Sequence, residues 1–365
     1  MQQTPPANAP VWQLQSSGST AGLRGIDSVD GANGTVAWAS GSGGTVLRTT
    51  DGGQNWTRCA TPDAKKDGAT LDFRGVQAWD ASTAIVMASG PGAKSRLYKT
   101  ADGCKTWRLL FTNPDAPNGF WDALKFIDWS RGFILGDPVA GYFVLFFTVN
   151  GGKHWGRLNT SDLAAPNVKA GAFAASNSAL IVDDSGQPTF GTSGPGGPWL
   201  YIPRSRYQCT MLTAQEYPAL CLSESLGFRK VKMPMDGDSS SAGVFSLAIG
   251  PIPTSDSPFS SGFVAVGGDY RKPDATAGTA VAIVLGQLNP TAAEKPPHGF
   301  RSAVQWSAAL KAWITVGTNG SDISRDDGRT WRPLDNGNWN ALSLPFVVGP
   351  DGRIAKLNPS AIPKP

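Results

Sequence analysis

The chain has 365 residues, with 32 Lys and Arg against 28 Asp and Glu, a formal net charge of +4 and a pI near 8.8. Charged residues make up only 16%, Gly (44) and Pro (28) together about a fifth, and 13 Trp with 16 Phe supply aromatic bulk. That balance excludes a disordered chain and predicts a turn-rich, all-β globular protein. The mild charge, with no Lys/Arg block and no aromatic-basic ladder, argues against nucleic acid as a partner.

The first ten residues, Met1 to Pro10, read as the start of a mature chain behind an initiator Met. An exported protein, periplasmic or secreted with its signal segment removed, is the expectation, and the cytoplasm is the alternative. Val11-Trp12-Gln13-Leu14 follows as a short Trp-led strand with no obvious neighbour.

Next comes a unit of three short strands: Leu23 to Asp27, Thr35 to Gly41 and Thr45 to Thr49. It closes on Thr49-Thr50-Asp51-Gly52-Gly53-Gln54-Asn55-Trp56, and a fourth strand starts at the Trp. The same order recurs with Phe73 to Gln77, Ala84 to Gly90 and Arg96 to Thr100, closing on Thr100-Ala101-Asp102-Gly103-Cys104-Lys105-Thr106-Trp107. A third copy of the phrase ends in Asn150 and Trp155, and a fourth runs from Ser324 through Asp326 and Gly328 to Trp331. The shared pattern is Ser/Thr-x-Asp-x-Gly-x-x-Trp, the Asp-box of the bacterial neuraminidase repeat. Its chemistry is structural: the carboxylate accepts backbone N–H groups across a tight turn, and the Gly tolerates positive φ. Cys104 replaces the Gly in the second copy and Asn150 the Asp in the third.

First strands are predicted to begin near Arg24, Arg74, Asp122, Ala172, Ser246, Arg301 and Asn340, a period close to fifty residues. A four-stranded meander cannot bury both its faces alone, so copies must stack on one another. The last unit (Trp339 to Ser343, Phe346 to Gly349, Arg353 to Leu357) has three strands only, and the Trp12 strand is the missing fourth. Pairing the two ends removes an exposed sheet edge. The prediction is one domain over 1–365: a seven-bladed β-propeller closed by its N-terminal strand, with an insertion at about 204–226. The longest apolar run, Tyr142 to Val149, is of strand length, so no segment is expected to span a bilayer.

Sites of chemistry are sparse. The four cysteines contain no Cys-x-x-Cys pair, which argues against zinc or a redox dithiol. Cys209 and Cys221 share the insertion and are the expected disulfide, while the pairing of Cys59 and Cys104 stays open, as does a set of four free thiols. His154 and His298 are isolated, and Gly41-Ser42-Gly43-Gly44 joins two antiparallel strands where a phosphate cradle would open a helix. No cofactor, metal or catalytic residue is predicted. The alternative is a sialidase-like glycoside hydrolase or another carbohydrate-binding propeller, but hydrolysis needs a Tyr–Glu pair and an acid Asp. The three glutamates, Glu216, Glu224 and Glu294, fall in the insertion and in a Pro-rich loop.

The unit order, the blade count and the paired termini resemble the photosystem II stability/assembly factor family of propellers. The phrases that carry this are Leu23-Arg24-Gly25-Ile26, Phe73-Arg74-Gly75-Val76-Gln77, Gly136-Asp137-Pro138-Val139, Phe173-Ala174-Ala175-Ser176, Val266 to Tyr270, Phe300 to Val304 and Ser324 to Trp331. The resemblance implies a non-enzymatic role: binding and stabilising other proteins while a membrane complex is assembled. The chain departs from it near 204–226 and after Ala280 to Leu285, where boxes are missing.

Topology also predicts a functional face. Entries to first strands and the second-to-third turns share one end of each meander, and the Asp-boxes lie at the other. The strand-entry end collects Arg24, Arg74, Asp122, Asp137, Asp269, Tyr270, Arg271, Arg301, Asn319 and Asp322. Arginines repeated around a mouth suit an anionic or carboxylate-bearing peptide or protein partner of a monomeric propeller. The alternative is that they tie blades together.

Overall fold

Short β-rich segments separated by left-handed glycines produce seven four-stranded antiparallel sheets in this computed structural model. It describes residues 9–204, 226–235, 237, 239–252, 261–284, 287 and 289–363. In chain order the first strands are Leu23–Ser28, Phe73–Ala78, Trp121–Phe126, Leu180–Val182, Ala242–Pro251, Ala303–Ser307 and Ala341–Ser343. Second strands such as Ala84–Ala88, five apolar residues in a row, are buried on both faces because blades cover them from either side.

The Asp-box turns are held as their residue types dictate. Thr49 Oγ1 donates to Asp51 Oδ1 and accepts from Gly53 N, while Asp51 Oδ1 also accepts from Asn55 N, all at 2.9 Å. Asp102, Asn150 and Asp326 repeat that pattern. Each box tryptophan packs onto the preceding blade. Trp56 meets Phe346 edge-on, Trp107 meets Trp38, Trp155 stacks on Phe111, and Trp331 is fully buried with Ile252 and Val264.

Hydrophobic clusters among the described residues each join two adjacent blades. Trp38 and Val46 of blade one meet Phe73 and Val86 of blade two, and Leu23 and Ile26 meet Phe346 and Val348 of blade seven. A second set of ties runs nearer the axis. Asp27 accepts from Ala78 N (blades one to two), and Gln77 exchanges two bonds with Phe126 (two to three). Asn177 accepts from Leu124 N (three to four), Ser178 donates to Ser246, and Ser246 accepts from Val304 N (four to five to six). Gln305 accepts from Leu344 N, and Ser343 from Ser28 N, which completes the circle. A side chain thus bonds a polar group beside the inner strands at all seven junctions, and backbone bonds such as Leu23 N to Gly349 O and Arg301 N to Gly267 O add to them.

The N-terminal strand Trp12–Gln15 pairs antiparallel with Ile354–Leu357, closing the ring as the spare strand predicts. Trp12 is buried against Trp339 and donates its indole N–H to Ser321 Oγ of blade six at 2.9 Å.

Blade four corrects the sequence reading. Its first strand does not begin at Ala172. Gly171 bridges to Ser193, pairing resumes where Gly191 N donates to Ala179 O, and residues 172–178 between them leave the sheet. This axial segment reaches blades two, three, five and six through Val76, Leu124, Phe245 and Ser302, so it crosses the centre of the ring. Small and hydroxyl or amide residues suit it, because their side chains cap backbone groups of the surrounding inner strands.

The described cysteines also settle what spacing left open. Cys59, just after the outer strand of blade one, is bonded to Cys104 in the box turn of blade two. Cys209 and Cys221 lie outside the described residues, as do Glu216, Glu224 and most of the predicted insertion.

Candidate binding face

Four inner strands carry a bulge at the same place. Pairing shifts between Leu23 and Gly25, Phe73 and Gly75, Trp121 and Ala123, and Val244 and Ser246. The bulged residues are therefore Arg24, Arg74, Asp122 and Phe245. A bulge re-aims a side chain out of the alternation of its strand, and three of these four were singled out from sequence. Phe245 was missed. Its signal is the same register: it precedes Ser246 as Arg24 and Arg74 precede their glycines.

Arg24, Arg74 and Phe245 line one cavity of about 450 Å³ at the strand-entry mouth, together with Phe173, Tyr270, Phe300 and Asn340. Its floor includes Phe173 to Ala175 of the axial segment. Arg74 donates from Nε to Asp72 at 2.7 Å and lies over the Phe120 ring. Arg24, half-buried, has no hydrogen-bond or ion-pair partner among the described residues. Burial first, and the neighbouring Arg74 charge second, push its pKa down. Two guanidinium groups thus stand at one partly buried mouth, and guanidinium–carboxylate bonds are charge-assisted and bidentate.

The remaining predicted face residues divide. Tyr270 is about half exposed on the cavity rim, with Arg271 over its ring. Asp269 sits behind them, its carboxylate accepting from Arg271 N. Asp122 and Asp137 are carboxylates brought close together. Asp122 is buried, one oxygen is unpartnered among the described residues, and desolvation followed by the Asp137 charge raises its pKa well above the usual range. Asp137 accepts from Ala172 N at the start of the axial segment, and burial raises its pKa too.

Arg301, Asn319 and Asp322 form a separate, closed network. Arg301 and Asp322 are fully buried, and Arg301 also donates to Phe300 O and Asn319 Oδ1, both at 2.6 Å. His298 donates from Nε2 to Asn319 O and meets Asp322 through Nδ1. Asp322 lies within the strand Gly320–Ser324, as Asp137 lies within Gly132–Val139. Arg301 is sequestered inside blade six, where its guanidinium bonds only groups of that blade, while Arg24 and Arg74 face the mouth. Glu294, the one described glutamate, is exposed beyond the outer strand Thr291–Ala292 of blade five, away from the inner strands that shape the mouth.

Two solved structures share this architecture. One, described as YCF48 bound to a D1 peptide, matches with a TM-score of 0.61 at 14% identity over 99% of this chain and 100% of that one. The other, YCF48 from Cyanidioschyzon merolae, gives 0.61 at 18% identity over 96% and 99%. At such identities the likeness is one of fold, and it agrees with the propeller family that the repeat phrases resemble. No protein-family model and no curated protein matches the chain. Among the described residues no helix is long and apolar enough to cross a membrane.

Proposed function

We propose that this chain is a non-catalytic, peptide-binding propeller that serves as an assembly or stability factor for a protein complex. The observation that carries the reading is the mouth cavity, where Arg24 and Arg74 converge and Arg24 lacks a partner among the described residues. A YCF48 with a D1 peptide bound is a precedent for this fold taking a peptide. We further read the protein as exported, periplasmic or secreted. The Cys59–Cys104 disulfide supports that reading, because such bonds persist in oxidising compartments.

The test is a pull-down from the native host with wild type and the double variant Arg24→Ala, Arg74→Ala. Loss of a specific partner at an unchanged melting temperature is expected. Retention of every partner by the double variant sinks the site, and fractionation of the host cell tests the location.

A further inference from the structure

Resting on that reading of the mouth, we infer that the cavity is a two-part subsite, taking a carboxylate and, beside it, an apolar, preferably aromatic, side chain of the same peptide. One half of the cavity is cationic and the other is aromatic. The aromatic half is built from elements far apart in the chain: Phe173 from the axial segment, Phe245 from the blade-five bulge, Tyr270 from the end of the next strand and Phe300 from the entry to blade six. Phe173 stacks on Phe245 with centroids 3.5 Å apart, and Phe300 and Tyr270 stand edge-on to Phe245 at 4.6 and 6.2 Å. Phe245 and Phe300 are already buried, so they hold the group in place, while half-buried Phe173 and exposed Tyr270 remain to meet a ligand.

Large aromatic surface left at a cavity rim costs free energy in water that an apolar side chain recovers. The volume, about 450 Å³, falls within the roughly 300–1,000 Å³ of small-ligand pockets. It suits one or two residues of a peptide and not a folded domain. Ser240, Ser302, Thr318 and Asn340 complete the lining and offer hydrogen bonds to a peptide backbone. A bare inorganic anion would use the arginines and leave the aromatic half wet, which is why the two halves together specify a peptide.

The experiment is calorimetric titration of the whole protein with four peptides and inorganic phosphate. The peptides are Gly-Ser-Gly-Ser-Gly-Phe as free acid, the same as C-terminal amide, the free acid with Ser in place of Phe, and an amidated peptide with an internal Asp-Phe pair. The Phe free acid is expected to bind at least about tenfold more tightly than its amide and than the Ser peptide, and phosphate to bind more weakly still. Binding of the internal Asp-Phe peptide on a par with the free acid assigns a side-chain carboxylate, and weaker binding assigns a chain terminus. Tyr270→Ser, at an exposed position, should weaken the Phe peptide about fivefold and spare the Ser peptide, whereas Arg24→Ala should weaken both. Equal affinity for the Phe and Ser acids, unmoved by Tyr270→Ser, overturns the aromatic half while the carboxylate reading stands. If the amide binds as well as the acid and Arg24→Ala changes nothing, the peptide-binding reading of the mouth fails with it.

Discussion

Arg301 and Asp322 are both fully buried, and the guanidinium Nε donates to the carboxylate at 2.7 Å, joining the entry of blade six to its strand Gly320–Ser324. Removing one partner of such a pair strands a charge in the interior, which costs about 3–5 kcal/mol. Arg301→Ala is therefore expected to lower unfolding stability by that amount in urea titration. Arg24→Ala and Arg74→Ala should each stay within about 1 kcal/mol of wild type, because their side chains are partly solvated. Equal effects at the three positions would contradict the division between one sequestered arginine and two mouth residues.

The three arginines show where the sequence stops being legible. Leu23-Arg24-Gly25, Phe73-Arg74-Gly75 and Phe300-Arg301-Ser302 are nearly the same phrase, yet only the last arginine is sequestered. The difference lies two residues before the box hydroxyl, where blade six has Asp322 and blades one and two have Leu47 and Tyr98. An acid at a position otherwise apolar was the available signal. The ring was readable because glycine turns and box phrases repeat in phase, and its closure because Trp12 was a strand without a blade. The axial segment was not, since Ala172 to Ser178 fits the strand pattern locally and its departure depends on partners in four other blades. The Cys59–Cys104 bond joins two consecutive units whose stacking was readable, but which of their loop residues meet was not.

Ring closure makes the N-terminal strand a stability element. Trp12→Ala should cost about 3–5 kcal/mol, the usual loss for a buried Trp, and also removes the indole N–H bond that Ser321 Oγ accepts. Deleting residues 1–16 should go further and leave Ile354–Leu357 as an unpaired edge, seen as association in size-exclusion chromatography. A truncated protein that stays monomeric and melts normally would rule out the strand's closing role.

Acid should unfold the ring partly through its box turns. The Thr106 hydroxyl, and after it the Thr106 N–H, hold the Asp102 carboxylate at about 2, below the ordinary aspartate value of 3.8. A depressed folded pKa gives stability that is complete above the unfolded value and is lost as pH falls through the folded one. The window is therefore pH 4 down to 2, and Asp102→Asn should flatten the stability profile within it. Asp122 has the opposite sign. Burial and the Asp137 charge raise its folded pKa, so its ionised form weakens the fold at higher pH, and Asp122→Asn should stabilise the protein at pH 7 with the gain fading towards pH 4. Denaturant midpoints measured across pH 2–8 for both variants check the two signs together.

Cys104 occupies the box position where the sibling turns have Gly53, Gly152 and Gly328, and it keeps their left-handed backbone at φ +67°. A side chain there costs roughly 1 kcal/mol or more relative to Gly, so the disulfide must outweigh a local penalty. It spans 45 residues, for which the chain-entropy treatment gives roughly 4 kcal/mol. Cys59→Ala with Cys104→Ala should then lose most of that and retain the strain. Cys59→Ala with Cys104→Gly, which restores the ordinary box, should be more stable than the double alanine variant by about 1 kcal/mol. Urea midpoints of the two variants decide it: if the Gly and Ala versions unfold together, the turn does not impose left-handed geometry on Cys104, and the bond is a tie between blades one and two without a compensating role.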